Sequence, residues 1–410
     1  MKAFTRLLTP EAARAAFGAV YTPRPVGVER VPLLAACGRV LAEEIRAPED
    51  LPPFDRSTVD GYAVRAADTA LASRGAPVGL ILAGEVLMGR PAPVACGAGQ
   101  AVRVPTGGAL PAGADAVVMQ EDTVRRDGTV FVERAVRAGE NIVHRGEDLR
   151  AGDTVLKPGR VLRPQDVGLL AGIGRTEVEV YVRPTVSVVV TGDELVPPGQ
   201  RLRAGQVRDV NTYTLTGLLE ASGAVAVPWG IVGDSLQAVV DRAREALRVG
   251  DALLLVGGSS VGERDVVTDA IAALGEPGIV VHGIAIRPGK PTILAVAAGK
   301  AVFGVPGNVV SAMIIFEEFV RPVIEGLAGR APGRRRPTVR ARLTRRLVAG
   351  EREDHVRVTL VEREGLLWAT PVPGGSAILT SMVLADGVVV VPVGGALDEG
   401  TEVEVRLFAP

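Results

Sequence analysis

The sequence predicts a multidomain α/β protein. Its parts are a three-layer α/β domain on a mostly parallel sheet, a β-rich second domain, a small C-terminal β-barrel and a short discontinuous linking domain. Three observations predict this. From residue 184, apolar β-branched runs alternate with amphipathic stretches, the pattern of strand–helix–strand units. Between 60 and 145, short strands follow one another with frequent turns. From 337 to 410, polar and apolar residues alternate at period two. A chain of 410 residues is also longer than one core usually organises.

The elements follow in order. Glu11 and Arg14 interrupt MKAFTRLLTPEAARAAFGAV, so it reads as an amphipathic helix and not as a signal peptide. LLAACGRVLAEEI (33–45) has apolar residues at helical spacing and predicts a second helix. APEDLPPFDRSTVDGYAV then changes character, with paired prolines, charges and an Asp-Gly turn signal. GLILAGEVL, QAVRVPTG, ADAVVMQED and GTVFVE are the short strands of the β-rich part, and DVGLLAGIG is a short helix. TVSVVVTG is a continuous apolar run of the kind found in buried parallel strands. Helix TYTLTGLLEAS, strand AVAVPWGIV, helix SLQAVVDRAREAL and strand DALLLVGG come next. Helix VVTDAIAAL, strand AVFGV and helix VSAMIIFEEFVRPVIEGL complete the alternation. APGRRRP reads as a linker. The expected division is 23–48 with 146–182 as the linking domain, 49–145 as the β-rich domain, 1–22 with 183–330 as the α/β domain, and 337–410 as the barrel.

Composition removes several function classes. The net charge of −1 gives no global attraction to nucleic acid or anionic membranes, so any anion site is built locally. No apolar segment approaches the ~20 residues that span a bilayer. Cys37 and Cys96 are isolated, which fits a reduced, cytoplasmic compartment. His144, His282 and His355 stand apart, which argues against a built-in zinc or iron site.

In open α/β sheets, ligands bind at the carboxyl ends of the strands. Three polar loops fall there. Thr191-Gly192-Asp193-Glu194 follows TVSVVV. Gly257 to Asp265 follows DALLLV and includes Gly258, Ser259, Ser260 and Gly262. Pro306-Gly307-Asn308 follows AVFGV. Glycines let the backbone approach a ligand, and successive N–H groups form an anion nest. RPGKP adds the cations Arg287 and Lys290, suited to phosphate or another oxyanion. Asp60, Glu194, Asp234 and Asp265 stand at loop ends as hard oxygen donors of the kind that suit Mg²⁺ beside phosphate. Gly258-Ser259-Ser260-Val261-Gly262 also matches the G-x-S-x-G elbow of serine hydrolases. That reading fails because the loop opens with two glycines and His282 follows too soon to leave room for the acid. A Walker A loop is excluded, since no GK[ST] is present.

These residues carry a family. LPPFDRSTVDGYAVRAAD, RVPTGGALPAGADAVVMQED, GENIVHRGEDLRAGD, VTGDELVPPGQRLRAGQVRDVN, VGGSSVGERD, IRPGKP and GVPGNVVS occur in one order and spacing. Together they resemble the MoeA-type molybdopterin molybdenumtransferases, the family that includes the gephyrin E domain. The resemblance covers nearly the whole chain. It implies a molybdopterin-binding-like α/β domain and the insertion of molybdate into adenylylated molybdopterin, with Mg²⁺-assisted release of AMP. It implies a homodimer whose site lies between the α/β domain of one subunit and the second domain of the other. A molybdopterin adenylyltransferase and molybdoenzymes are the implied transient partners.

By the same resemblance, Asp60 and Thr106 are presented from the second domain. Glu194, Asp234 and Asp265 are the acids of catalysis or metal binding, and Gly257, Gly258, Ser260 and Gly262 form the phosphate and pterin loop. Arg287 and Lys290 are the basic motif, and Ser376 in PVPGGSAIL is the C-terminal domain's contribution. Departures from the family pattern are Arg287 in place of lysine, Val309 in place of proline, Ser259 in place of an apolar residue and Val210 in place of serine. The alternatives are a tungstate-preferring insertase, a pterin-binding scaffold and an adenylyltransferase. The modules on both sides of the α/β domain argue against the last.

Overall fold

The structure, a computed structural model, describes residues 7–257, 266–331 and 336–408. The described residues fall into two compact units. One takes those of Met1–Ala42, Pro158–Arg163 and Val178–Pro410; the other takes Glu43–Lys157 and Pro164–Glu177. Helix α1 (Pro10–Val20) opens the first unit. Thr9 caps it, its hydroxyl accepting from the Ala12 amide at 3.2 Å, and Pro10 fills the first turn, where no amide partner is needed.

The expected helix over 33–45 is absent. A single 3-10 turn, Leu33–Ala35, ends at Gly38, which has φ +80. Val40 and Leu41 then run extended and bridge to Val161 and Val180. Helical spacing of apolar residues is outweighed here by a glycine in the left-handed region and by sheet-like partners distant in sequence.

The second unit is built on a six-stranded sheet. Its strands are β1 (Gly61–Val64), β2 (Val78–Glu85), β3 (Gln100–Val104), β4 (Ala116–Met119), β5 (Thr123–Arg126) and β6 (Thr129–Val132), in the order β4-β1-β3-β2-β6-β5. Tyr62, Val64, Leu80, Val118 and Val130 fill one side. A Cβ at Gly61 would lie 2.0 Å from the Val118 carbonyl oxygen, so only glycine lets β1 and β4 meet there. Helix α2 (Pro164–Gly172) belongs to the same unit.

In the first unit, β7 (Thr185–Thr191), β8 (Val225–Val232), β9 (Ala252–Val256), β10 (Pro277–His282), β12 (Ile293–Ala297) and β13 (Lys300–Val305) form one sheet, in the order β8-β7-β9-β13-β12-β10. Between β10 and β12 lies the two-residue strand β11 (Ile286–Arg287). The pairings β8–β7, β7–β9 and β9–β13 are parallel. β12 and β10 extend the sheet antiparallel, because Ala298 (φ 50) and Gly299 (φ 72) turn β12 straight back into β13.

Both faces of the sheet are covered. Val186, Val188, Val190 and Leu254 pack with α1, α3 (Asn211–Ala221) and the helix after β13. Val189, Leu253 and Leu255 pack with α4 (Leu236–Val249) and α5 (Val266–Ala272). The period-two split of apolar side chains between two helical layers makes this domain three layers deep. Each fully buried Val or Leu contributes roughly 1.5–3 kcal/mol.

After β13 come α6 (Val309–Ile315), a π-helical turn Phe316–Val320 and α7 (Arg321–Leu327). The π turn leaves Glu317 and Glu318 buried at 6% and 8% exposure, among arginines from other elements. Glu317 pairs with Arg321 at 2.6 Å and Arg336 at 3.1 Å; Glu318 pairs with Arg406 at 3.3 Å and Arg14 at 3.4 Å.

The barrel comprises β14 (Thr338–Leu343), β15 (Glu353–Arg363), β16 (Leu366–Pro371), β17 (Gly387–Val391) and β18 (Glu402–Leu407). The ladder β15-β16-β14-β18-β17 closes when β17 pairs with β15, giving a five-stranded barrel around Leu343, Val358, Val389 and Val405. β11 adds to β15 in parallel, with Arg287 opposite Asp354. No helix among the described residues is long and apolar enough to cross a membrane.

Candidate active site

The strand ends of the α/β sheet meet on one edge. β7 ends at Thr191, which is buried; its hydroxyl donates to Asp234 Oδ1 at 2.6 Å. The Asp234 amide donates back to Asp193 Oδ1 at 3.0 Å, and the Asp193 amide lies 3.4 Å from Asp234 Oδ2. These bonds staple the loop after β7 to the loop after β8. A Cβ at Gly192 would lie 2.8 Å from the Glu194 carboxylate, so glycine here leaves that acid room. Gly257, at the end of β9 with φ +150, has no room for a side chain: a Cβ would sit 2.5 Å from Thr191 Cγ2. A Cβ at Gly307 would be 3.7 Å from the Gly257 Cα, and the Gly307 carbonyl accepts from Asn211 Nδ2 at 2.7 Å. Thr191, Gly192, Asp193, Glu194, Asp234, Gly257, Pro306, Gly307 and Asn308 therefore share the carboxyl edge expected for them. Gly258, Ser259, Ser260, Gly262 and Asp265 lie outside the described residues.

Beside this edge, a cleft of about 720 Å³ opens between the RPGK turn, the start of α6 and the barrel. Gly289 forms the turn at φ +126, and a Cβ there would meet Ile315 at 2.6 Å, so the turn rests directly on α6. Lys290 and Ser376 line the cleft, and the Ser376 carbonyl accepts from the Val310 amide at 3.1 Å. Arg287 also lines it, but not as an unengaged cation. Its Nη2 lies 2.5 Å from Asp354 Oδ2, the arginine side chain 56% exposed and the carboxylate 9%. Arg287 and Lys290, expected as a cationic pair, both line the cleft, and Arg287 in addition pairs with a barrel carboxylate. The guanidinium spends a donor on a barrel carboxylate supplied from 67 residues further along the chain.

Arg357 stands in the same cleft and was not anticipated. It is 7% exposed, donates through Nη2 to the Gly374 carbonyl, and its Nε has no hydrogen-bond partner. Burial pulls its pKa below the ordinary guanidinium value, and the nearby Asp354 charge works the other way. DHVRVTL carries no local signal for it: His355, Arg357 and Thr359 alternate with Val356, Val358 and Leu360 as the outward face of a strand does, and only tertiary packing buries His355 and Arg357.

In the other unit, Asp60 and Thr106 are brought together. The Thr106 amide and hydroxyl both donate to Asp60 Oδ1, at 2.8 and 3.2 Å, and both residues are exposed. Among the described residues no group of three His, Cys, Asp or Glu side chains is placed to hold a metal ion. Of the three acids expected to bind metal, Glu194 and Asp234 are described, at the ends of neighbouring strands.

Fold and cleft together define a class: a multidomain α/β protein with a cleft lined by arginines and a lysine between a sheet edge and a closed barrel. Models of the MoeA N-terminal region (domain I and II), a probable molybdopterin binding domain and the MoeA C-terminal region (domain IV) match residues 8–174, 187–326 and 340–408. A molybdopterin molybdenumtransferase from Nostoc sp. is 34% identical over 89% of this chain and 85% of its own length. One from Synechococcus elongatus is 35% identical over 93% and 95%. A solved structure of the molybdopterin biosynthesis MoeA protein from Pyrococcus horikoshii superposes with a TM-score of 0.84 at 30% identity, covering 98% of this chain and all of that one. The chain belongs to the MoeA family of molybdopterin biosynthesis proteins.

Proposed function

We propose that the protein is a molybdopterin molybdenumtransferase, which inserts molybdate into adenylylated molybdopterin and releases AMP. The observation that carries this reading is Arg357. A guanidinium buried at 7% exposure with an unpartnered Nε has lost much of its hydration, and an oxyanion in the cleft offsets that loss. Lys290 adds a point charge, the Ser376 hydroxyl adds a donor, and a tetrahedral dianion accepts from all three. Pterin and phosphate groups of the other substrate lie along the strand-end edge, where Gly257 and Gly307 leave the backbone open.

Mg²⁺ fits the donor set. Asp234 accepts from the Thr191 hydroxyl and keeps further carboxylate lone pairs, and Glu194 lies in the loop after the neighbouring strand, where Gly192 leaves its carboxylate room. Glu194, Asp234 and Asp265 are the residues that would hold it, and it would neutralise charge on the phosphoanhydride. Asp60, fixed by Thr106, is contributed by a second subunit in a cytoplasmic homodimer. The four-part division expected from the sequence is retained as the domain organisation. A molybdopterin adenylyltransferase and molybdoenzymes remain the proposed transient partners.

The test is AMP release from adenylylated molybdopterin with Mg²⁺, titrating molybdate and tungstate separately. Release that depends on oxyanion supports the reading, and the half-saturating concentrations rank the two oxyanions. Tight pterin binding without release overturns it in favour of a scaffold.

A further inference from the structure

The outer face of the barrel carries a buried histidine. Side chains alternate along a strand, and Val356, Val358 and Leu360 of β15 pack into the barrel. Glu353, His355 and Arg357 therefore share the outward face. The α/β domain covers that face: Val388 of β17, opposite Arg357, lies in one apolar cluster with Phe316, Phe319 and Val320. The His355 side chain is 0% exposed.

Its two ring nitrogens are treated unequally. Nε2 lies 2.9 Å from Glu353 Oε1. That carboxyl is held below its ordinary value, chiefly by this hydrogen bond, so it is charged and can only accept. Nε2 therefore carries the hydrogen, and in the neutral ring Nδ1 is left bare. Nδ1 is buried without a hydrogen-bond partner among the described residues, and Glu318 Oε1 stands 4.0 Å from it. A bare lone pair facing a carboxylate is an unmade bond; a proton on Nδ1 turns it into a charge-assisted one.

The charges around the ring oppose one another. Glu317 and Glu318 of the π turn, Glu353, and Asp354 (already paired with Arg287) favour an imidazolium. Arg14 of α1, Arg321 of α7, Arg336 and Arg406 of β18 oppose it, but each is paired with Glu317 or Glu318. Arg357 also opposes it, makes no ion pair among the described residues, and has its Cα roughly 7 Å away at ~3.3 Å per residue.

Resting on the reading above, we propose that His355 is a positioning residue for the reaction: it takes a proton from solvent as an oxyanion settles on Arg357, and the imidazolium then bonds Glu318 and fixes β15 on the π turn. The charge of an empty Arg357 opposes a second charge on the neighbouring ring, and the oxyanion cancels it. Linkage runs both ways, so the proton on His355 raises oxyanion affinity by the factor by which the oxyanion raises proton affinity. Oxyanion binding therefore tightens as pH falls through the range in which imidazoles titrate.

Histidine-selective NMR on the full chain tests this, since only His144, His282 and His355 are present. H144Q and H282Q assign the rings and leave the seam untouched. The His355 ring is titrated in the wild-type chain, in the wild-type chain with saturating molybdate, and in R357A. Molybdate and R357A each remove the opposing charge, so each should move the His355 titration to higher pH, by roughly 0.5 or more. Calorimetry of molybdate binding in two buffers of different ionisation enthalpy should show proton uptake. H355Q keeps a donor toward Glu353 but cannot titrate; it should match wild-type affinity in alkali, lose the uptake and lose the rise in affinity toward lower pH. A His355 ring that does not titrate overturns the proposal, as does a midpoint that is the same in all three samples or proton uptake that persists in H355Q. Failure of the wild-type chain to bind molybdate sinks the functional reading instead, and R357A against the ligand-free wild type still judges the coupling.

Discussion

The pair Arg287–Asp354 ties the RPGK turn to the barrel, and its strength follows from its uneven burial. The Asp354 side chain is 9% exposed and that of Arg287 56%, at a separation of 2.5 Å. Exposed ion pairs contribute ~0–1 kcal/mol, whereas removing one partner of a buried pair costs ~3–5 kcal/mol. Arg287→Ala strands the buried carboxylate, but the Arg357 charge nearby partly compensates, so the expected loss is about 2 kcal/mol. Asp354→Asn keeps the volume, removes the charge and returns a half-exposed arginine to water, so about 1 kcal/mol is expected. The double variant should lose less than the sum, leaving a coupling energy of about 1–2 kcal/mol.

Urea unfolding measures this. Trp368 lies in β16 and Trp229 in β8, so Trp229→Phe in every background makes the fluorescence report the barrel alone. Losses that add to within ~0.5 kcal/mol would refute the coupling. Arg287 would then be an anion-binding cation and not a strap.

Three further outcomes are expected. Gly289→Ala places a Cβ 2.6 Å from Ile315 at φ +126, which should cost about 2–4 kcal/mol from strain and overpacking and lower the melting temperature; an unchanged melting temperature counts against the close approach. His355 hydrogen-bonds the Glu353 carboxylate and lowers its pKa below 4.5, so this contribution to stability is present above that value and is lost as pH falls through the folded pKa. Glu353→Gln should therefore be less stable than wild type at pH 7, by under about 1 kcal/mol for this partly exposed pair, with the gap closing in acid; a gap that widens toward acid sinks it. Asp60→Asn and Glu194→Gln should each keep the fold by circular dichroism and lose most oxyanion-dependent AMP release, and near-wild-type turnover in both would displace the site from where it is proposed.

What the sequence made legible was whatever local pattern controls. TVSVVV and DALLLV read as buried parallel strands because β-branched and leucine runs have no polar face to leave in water, and both strands are buried throughout or nearly so. The loops at their ends followed from topology alone. Misreadings arose where distant partners decide. LLAACGRVLAEEI has a helical spacing, but Gly38 and its partners at 161 and 180 make it extended. The helix expected over VSAMIIFEEFVRPVIEGL is broken by a π turn at Phe316–Val320, where Glu317 and Glu318 are buried among arginines 14, 336 and 406. Arg357 was missed for the same reason, since its role depends on barrel closure, which no local window contains.

A chain of net charge −1 concentrates six cations on one cleft, and it does so by drawing them from two elements. The RPGK turn belongs to the sheet side and Arg345, Arg352 and Arg357 to the barrel side, so neither element holds the field alone. Their mutual repulsion has to be met when the cleft is empty. Asp354 meets part of it inside the cleft. The carboxylates of Glu317 and Glu318 meet further charges through Arg336, just before the barrel, and Arg406 within it. A field assembled across a junction in this way depends on how the barrel is seated, because Coulomb energy between charges a few ångströms apart changes steeply with distance. The acids at the seam therefore bear on anion affinity without touching the anion. That gives a physical reason for two buried carboxylates in a helical segment whose other buried side chains are mostly apolar.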